Sequence, residues 1–272
     1  CFPWALHPTL LRKRPYVQIF RLMGVDKVLP PLPAVQAHVG PDRDGGQSRS
    51  VQRRRAAFFR QGAQAVAAHK GDLSPAQPFG RVHAAAQRKA GIAARRALSA
   101  AARSAADAAL CRRIAALHCF RNARTLLAYV AFGGEADLSA LLAEAVRQGK
   151  TVAYPICGAG FTLTAAVPGP DGWEVGAYGI RTPIPERAQL LPPEALDLVL
   201  VPCTAFDAAC RRVGMGKGYY DRYLPRCRNA VLLGAAFEAQ RVEQAAVDAH
   251  DQRLDGFVTE EGIYRGTDEF EL

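Results

Sequence analysis

The 272-residue sequence has no apolar run near the roughly 18 residues needed to cross a bilayer; its longest runs, such as Ala230-Val-Leu-Leu-Gly-Ala-Ala-Phe237, are far shorter. A membrane-spanning helix is not expected. It also lacks any C-x-x-C pair, and its seven cysteines (Cys1, Cys111, Cys119, Cys157, Cys203, Cys210 and Cys227) are odd in number. That argues against a disulfide framework or a zinc knuckle and for a reducing, cytoplasmic setting. The charge excess is confined to one end. The chain carries +10 overall, yet residues 1–86 hold 13 Lys/Arg against 4 Asp/Glu, while residues 87–272 hold 22 against 21. The body is close to neutral, so a polyanion partner would have to be held by the front segment, and nucleic-acid binding is not expected of the body. No internal repeat of 20 to 50 residues is visible.

Residues 1–86 begin with Cys and show no sustained periodicity, and they contain the turn-rich Pro30-Pro-Leu-Pro33 and the run Arg53-Arg-Arg55. Their composition predicts a basic, mostly disordered extension, either dispensable or the product of an over-extended reading frame. A secretory signal fits poorly, because the basic cluster Arg12-Lys-Arg14 follows the apolar stretch.

From Gln87 the pattern becomes regular. Ala/Arg-rich helix formers run to about residue 120, with Ser99 placed as an N-cap. Then come an apolar strand over 125–132 ending in Gly133-Gly134, a helix over 137–148 and a strand over 151–156. This is the strand-helix-strand unit of a parallel sheet. Further strands are read over 161–167, 196–202, 230–237 and 256–264, with a helix opening near Gly218. The predicted architecture is α/β, a three-layer fold with helices on both faces of a mostly parallel sheet.

Gly214, Gly216 and Gly218 alternate between a buried strand and a helix, with Arg211, Arg212 and Lys217 alongside. Such a loop can aim backbone N–H groups and cations at one anion. It is not a Walker A loop, since Gly218 stands where Ser or Thr is required. Nor is it a dinucleotide fingerprint, since residue 219 is Tyr. Alone, it is equally a glycine-rich turn with solvated cations.

The string Pro202-Cys-Thr-Ala-Phe-Asp207, followed by Arg212-Val-Gly-Met-Gly-Lys-Gly-Tyr-Tyr-Asp-Arg-Tyr-Leu224, resembles the signature of the 5-formyltetrahydrofolate cyclo-ligase family. Gly134-Glu135, Gly149-Lys-Thr-Val-Ala-Tyr-Pro155, Gly234-Ala-Ala-Phe-Glu-Ala-Gln240 and His250-Asp-Gln-Arg-Leu-Asp255 match in family order, so the resemblance spans about residues 87–265. It implies ATP- and Mg²⁺-dependent conversion of 5-formyltetrahydrofolate, with or without a polyglutamate tail, to 5,10-methenyltetrahydrofolate; the sequence does not give the oligomeric state, and a monomer is the favoured reading. Arg212 and Lys217 would be catalytic. The loop Arg212, Val213, Gly214, Met215, Gly216, Lys217, Gly218, Tyr219 and Tyr220 would hold ATP, helped by Arg88 or Lys89. Val130, Glu135 and residues 215–219 would bind folate, and Asp221 and Asp251 would hold Mg²⁺. Two departures stand out: Cys203 replaces a family glycine, and the spacing of Arg88 and Lys89 does not reproduce both family cations. His250 belongs to the motif without a derivable role. Two rivals share the residues: a phosphate-ester or CoA-ester enzyme of the same fold, and nucleic-acid binding through the basic extension.

Overall fold

A computed structural model describes residues 79–266. The predictions about the segment ahead of Phe79, including its disorder and its arginine run, lie outside the described residues. The first helix, α1 (Phe79–Ala97), runs through Gln87, so the helical body starts eight residues before the composition changes. Ser99 then caps α2 (Ala100–Ala116), its side chain accepting from the Ala102 amide at 3.2 Å. Ala106, Leu110 and Ile114 recur every four residues and form the buried stripe of α2. A short α3 (His118–Asn122) leads into the sheet.

The main sheet has eight strands. In chain order they are β1 (Thr125–Leu127), β2 (Thr151–Cys157), β3 (Leu163–Pro168), β6 (Ala188–Leu191), β7 (Leu198–Pro202), β10 (Val231–Ala235), β11 (Gly256–Val258) and β12 (Ile263–Arg265). Their spatial order is β12-β11-β10-β7-β1-β2-β3-β6. The five inner strands from β11 to β2 are parallel, and antiparallel β12, β3 and β6 close the flanks. This is the mostly parallel α/β sheet expected from the sequence. The helix α4 (Ser139–Arg147) joins β1 to β2.

Period-two alternation on β7 shows how both faces are covered. Leu198 and Leu200 enter the core built with α2, α3 and α4, while Val199 and Val201 enter the opposite core with Phe206, Phe257 and the tyrosines of α5 (Tyr219–Tyr223). Gly234 on β10 is required there. A Cβ at that position would lie 2.1 Å from the Phe257 ring, which stacks on Phe206 with centroids 4.5 Å apart.

Several elements differ from the sequence reading. The first strand ends at Leu127, shorter than the apolar run, and the chain beyond it turns through Gly133 and Gly134, both at positive φ. Residues 256–264 form a hairpin of β11 and β12 rather than one strand. Phe161 sits in a turn at φ 58°, and β3 begins at Leu163. Two hairpins lie off the main sheet: β4 (Trp173–Val175) with β5 (Arg181–Pro183), and β8 (Ala205–Phe206) with β9 (Arg212–Val213). Among the described residues no helix is long and apolar enough to cross a membrane.

Candidate active site

Walking along the parallel strands, β1 connects to β2 on one side, and the chain later returns to β7 on the other. The carboxyl ends of β1 and β7 therefore flank a point where the strand order reverses, the place where open α/β sheets form their ligand crevice. A cavity of about 1470 Å³ opens there. A single small ligand usually occupies roughly 300–1,000 Å³, so this space suits two.

On one side stands the glycine loop. Hairpin β8–β9 carries Arg212 into the interior, where it is only 3% exposed, and the turn between the strands is organised by Asp207. That carboxylate accepts from the amides of Ala209, Arg211 and Ala245 and from the Arg211 guanidinium. After β9 the chain passes through Gly216 at φ 86° and Gly218 at φ 69° into α5. Left-handed backbone of this kind is able to turn neighbouring amides toward one anion such as phosphate. Arg88 grips the loop from α1, donating from Nε to the Gly214 carbonyl at 2.8 Å while its guanidinium lies against Gly216. Lys217 is exposed, its ammonium over the Phe161 ring at 5.9 Å. Lys89, one residue along, does not line this cavity; it lies in a shallow depression along the outer face of α1. The sequence had left Arg88 and Lys89 as equals, and the helix separates them by about 100° of rotation.

Arg212 donates from both Nη atoms to Asp221 Oδ1, at 2.9 and 2.8 Å, and the Gln252 amide donates to the same oxygen at 3.1 Å. Asp251 accepts from the Asp248 amide at 2.8 Å and lines the same cavity. Burial, and then the negative charges of Asp221 and Asp248, hold the Asp251 carboxyl above its ordinary range. Among the described residues no three His, Cys, Asp or Glu side chains gather as a closed metal site. Two repelling carboxylates beside a phosphate loop fit Mg²⁺ that arrives with phosphates, since Mg²⁺ keeps much of its shell as water and phosphate oxygen. His250 is exposed at the same rim.

The other side is built from the end of β1. Val130 and Glu135 line the cavity, and Glu135 Oε2 accepts from the Phe132 amide at 3.1 Å. Burial raises the Glu135 carboxyl from its usual value, while the nearby Arg95 guanidinium pulls it back down. Tyr219 lines the wall between the two sides and packs edge-on against Phe161. Tyr220 lines it too; its hydroxyl is buried without a hydrogen-bond partner, and burial drives its pKa up.

Every site residue expected from the sequence thus meets in one cavity except Lys89. Two contributors had no sequence signal. Hairpin β4–β5 supplies Tyr178, Ile180 and Arg181 to the wall, with Tyr178 62% exposed at φ 62°. The hairpin is docked by Trp173 against Tyr154, with centroids 4.9 Å apart, and by Thr182, which donates to the Pro155 carbonyl at 3.2 Å. Its strands are three residues each, too short for periodicity to register. The second contributor is the buried Arg95, which reads as one more cation of an Ala/Arg-rich helix.

The family model described as the 5-formyltetrahydrofolate cyclo-ligase family matches residues 82–260. The 5-formyltetrahydrofolate cyclo-ligase of Escherichia coli (strain K12) is 30% identical over 147 residues, covering 52% of this chain and 81% of that protein. The cyclo-ligase of Haemophilus influenzae is 30% identical over 139 residues, covering 49% and 74%. The NMR structure of Aquifex aeolicus 5,10-methenyltetrahydrofolate synthetase superposes with a TM-score of 0.61 at 32% identity, covering 70% of this chain and 95% of that one.

Proposed function

Because the chain belongs to the 5-formyltetrahydrofolate cyclo-ligase family and is an enzyme of the ligase class, we propose that it converts 5-formyltetrahydrofolate to 5,10-methenyltetrahydrofolate, driven by ATP. The observation that carries this reading is one cavity, of a size for two ligands, with a cationic glycine loop on one side and the Glu135 loop on the other.

A formamide oxygen is a poor leaving group, and phosphorylation remedies that. In the reaction proposed, the formyl oxygen attacks the γ-phosphorus in line, an O–P bond forms and ADP departs. N10 then attacks the activated carbon, the C–O bond breaks with its electron pair going to phosphate, and the N10 proton ends on that phosphate. Phosphoryl transfer asks mainly for positioning and charge neutralisation. We assign these to Arg212, Lys217 and the amides of the glycine loop, with Arg88 fixing the loop from behind. The buried position of Arg212 strengthens its field, because water is excluded around it. Asp221 and Asp251 would hold Mg²⁺, which when bound neutralises phosphate charge. Glu135, Val130 and Tyr219 would hold the folate, with Tyr178 offering a flat exposed ring on the same wall.

We assign catalysis to the body that starts with α1 and none of it to the segment ahead, and we place the enzyme in the cytoplasm, a setting that its free cysteines suit. The test is formation of the methenyl product, followed by its near-ultraviolet absorbance. Absorbance that rises only with 5-formyltetrahydrofolate, ATP and Mg²⁺ together supports the reading; no rise with all three present overturns it.

A further inference from the structure

The crevice between the carboxyl ends of β1 and β7 is filled from behind by one side chain. Arg95 is 1% exposed, and its guanidinium reaches both strands' extensions. Nε donates to the Gly133 carbonyl at 3.1 Å and Nη2 reaches the Phe132 carbonyl at 3.5 Å, both in the loop that carries Glu135. Nη1 donates to the Cys203 carbonyl at 3.2 Å, just past β7, and stands 3.6 Å from Glu135 Oε1. Arg103 of α2 donates to the Gly134 carbonyl at 2.8 Å and to the carbonyl of Arg95 itself. Three consecutive carbonyls of the Glu135 loop are thus held by two arginines.

The helix is laid down for this. Arg88, Gly91 and Arg95 share one face of α1, at spacings of three and four residues. A Cβ on Gly91 would lie 1.9 Å from the Thr204 carbonyl oxygen, so the missing side chain lets α1 rest directly on the chain after β7. From that seat Arg88 takes the glycine loop and Arg95 takes the Glu135 loop.

We infer that Arg95 is a positioning residue: it aims Glu135 into the cavity and ties the folate-side loop to the nucleotide-side strand end, so that both halves of the site are held in one register. This rests on the assignment of Glu135 to the folate. A buried guanidinium is costly to desolvate and persists where its donors are satisfied, and here they are satisfied by the two loops whose spacing sets the site.

The charges around Glu135 agree with this role. It faces Arg95 from α1, Tyr129 from the end of β1, Cys203 after β7 and Tyr220 from α5. Burial raises both tyrosines and pushes the Cys203 thiol up to about 12, so these three stay neutral near pH 7. Arg95 is the cation among them. Glu135 ionises as pH rises through its pKa, and losing that cation raises the pKa further. With the folate held by the ionised carboxylate, the acid limb of the activity profile moves to higher pH when Arg95 is lost.

The experiment compares Arg95→Met, Arg95→Lys, Glu135→Gln and the double variants on the full chain, with wild-type methenyl formation measured first. Arg95→Met is expected to move the acid limb of kcat/KM for 5-formyltetrahydrofolate up by about one pH unit or more. Arg95→Lys keeps a charge beside Glu135, so it retains the acid limb. It loses the fork that spans two loops, and KM for both folate and ATP rises about tenfold, each held loop losing roughly one charged hydrogen bond. Arg95→Met added to Glu135→Gln still raises both KM values, because the loop carbonyls lose their donor, but brings no further movement of the acid limb, because the carboxylate it acts on is gone. An unmoved acid limb in Arg95→Met, with KM for both folate and ATP unchanged, overturns the inference and leaves the proposed reaction standing. Should Arg95→Met not fold, Arg95→Lys decides it, unchanged KM for both folate and ATP counting against. A wild-type chain that makes no methenyl product removes the parent reading and this one with it.

Discussion

At the scale of single residues, the site separates side chains that act from side chains that hold. Lys217 is exposed and, among the described residues, its ammonium lies over one ring, so Lys217→Ala should leave the melting temperature unchanged. If Lys217 neutralises the transferring phosphoryl group, kcat falls on the order of 10²-fold or more. Asp221 differs, because the buried Arg212 depends on it. Asp221→Ala is expected to abolish most ATP-dependent turnover and also to destabilise the fold by about 3 kcal/mol, since it strands a buried guanidinium. Equal denaturation midpoints for Asp221→Ala and wild type would contradict that. Tyr220 buries its hydroxyl without a partner and lines the cavity, whereas the Tyr223 hydroxyl meets only the weakly bonding Cys227 thiol and does not line it. Removing an unpaired buried hydroxyl is neutral or stabilising. Neither Tyr220→Phe nor Tyr223→Phe should lower the melting temperature, and only the first should change the kinetics. A kinetic defect in Tyr223→Phe would show that its hydroxyl reaches the site after all.

At the scale of elements, α1 is the part whose importance is least visible in its sequence. Ala/Arg composition announced a helix, and Ser99 announced where the next one starts, because capping chemistry is local. Which face of α1 is buried was not legible: the face is made by a glycine and two arginines rather than by an apolar stripe. Gly91→Ala should therefore act as an overpacking change against backbone. The expected cost is about 1–3 kcal/mol in denaturant unfolding, with a drop in kcat as Arg88 and Arg95 are displaced together. A variant as stable and active as wild type would mean that α1 can lift off Thr204 freely. The glycine loop was legible for the opposite reason. Alternating glycines with cations form a local pattern that states its own backbone requirement, borne out by positive φ at Gly216 and Gly218. The β4–β5 hairpin escaped notice because strands of three residues carry too little periodicity.

At the scale of the whole molecule, the positive charge and the site are separate matters, since the excess sits ahead of residue 87 and the cavity's cations are few and specific. A chain beginning at Phe79 is expected to keep the full-length melting temperature and methenyl formation. Loss of either would give the front segment a role in the body. The thiols offer a second probe. Burial lifts Cys119 and Cys210 to about 11 and Cys203 to about 12; it raises the Cys157 thiol too, but Cys157 is the exposed cysteine among the described residues and lines the cavity. Thiol alkylation read by mass spectrometry should modify Cys157 first among the described cysteines, and bound folate should slow it. Unchanged labelling in the presence of saturating folate would place the ligand away from that wall.

By itself the sequence determined what is local or periodic: the α/β class, the strand-helix-strand unit, the cap at Ser99, the glycine loop, and the motif order that marks the family. Those features are written in spacing along the chain. The tertiary structure alone decided which of two adjacent cations, Arg88 or Lys89, faces the cavity, that Arg212 pairs with Asp221, and that Arg95 spans the reversal point between β1 and β7. Each of these joins segments whose distance apart depends on strand order and on one close helix contact at Gly91. Neither is encoded in the spacing of neighbouring residues.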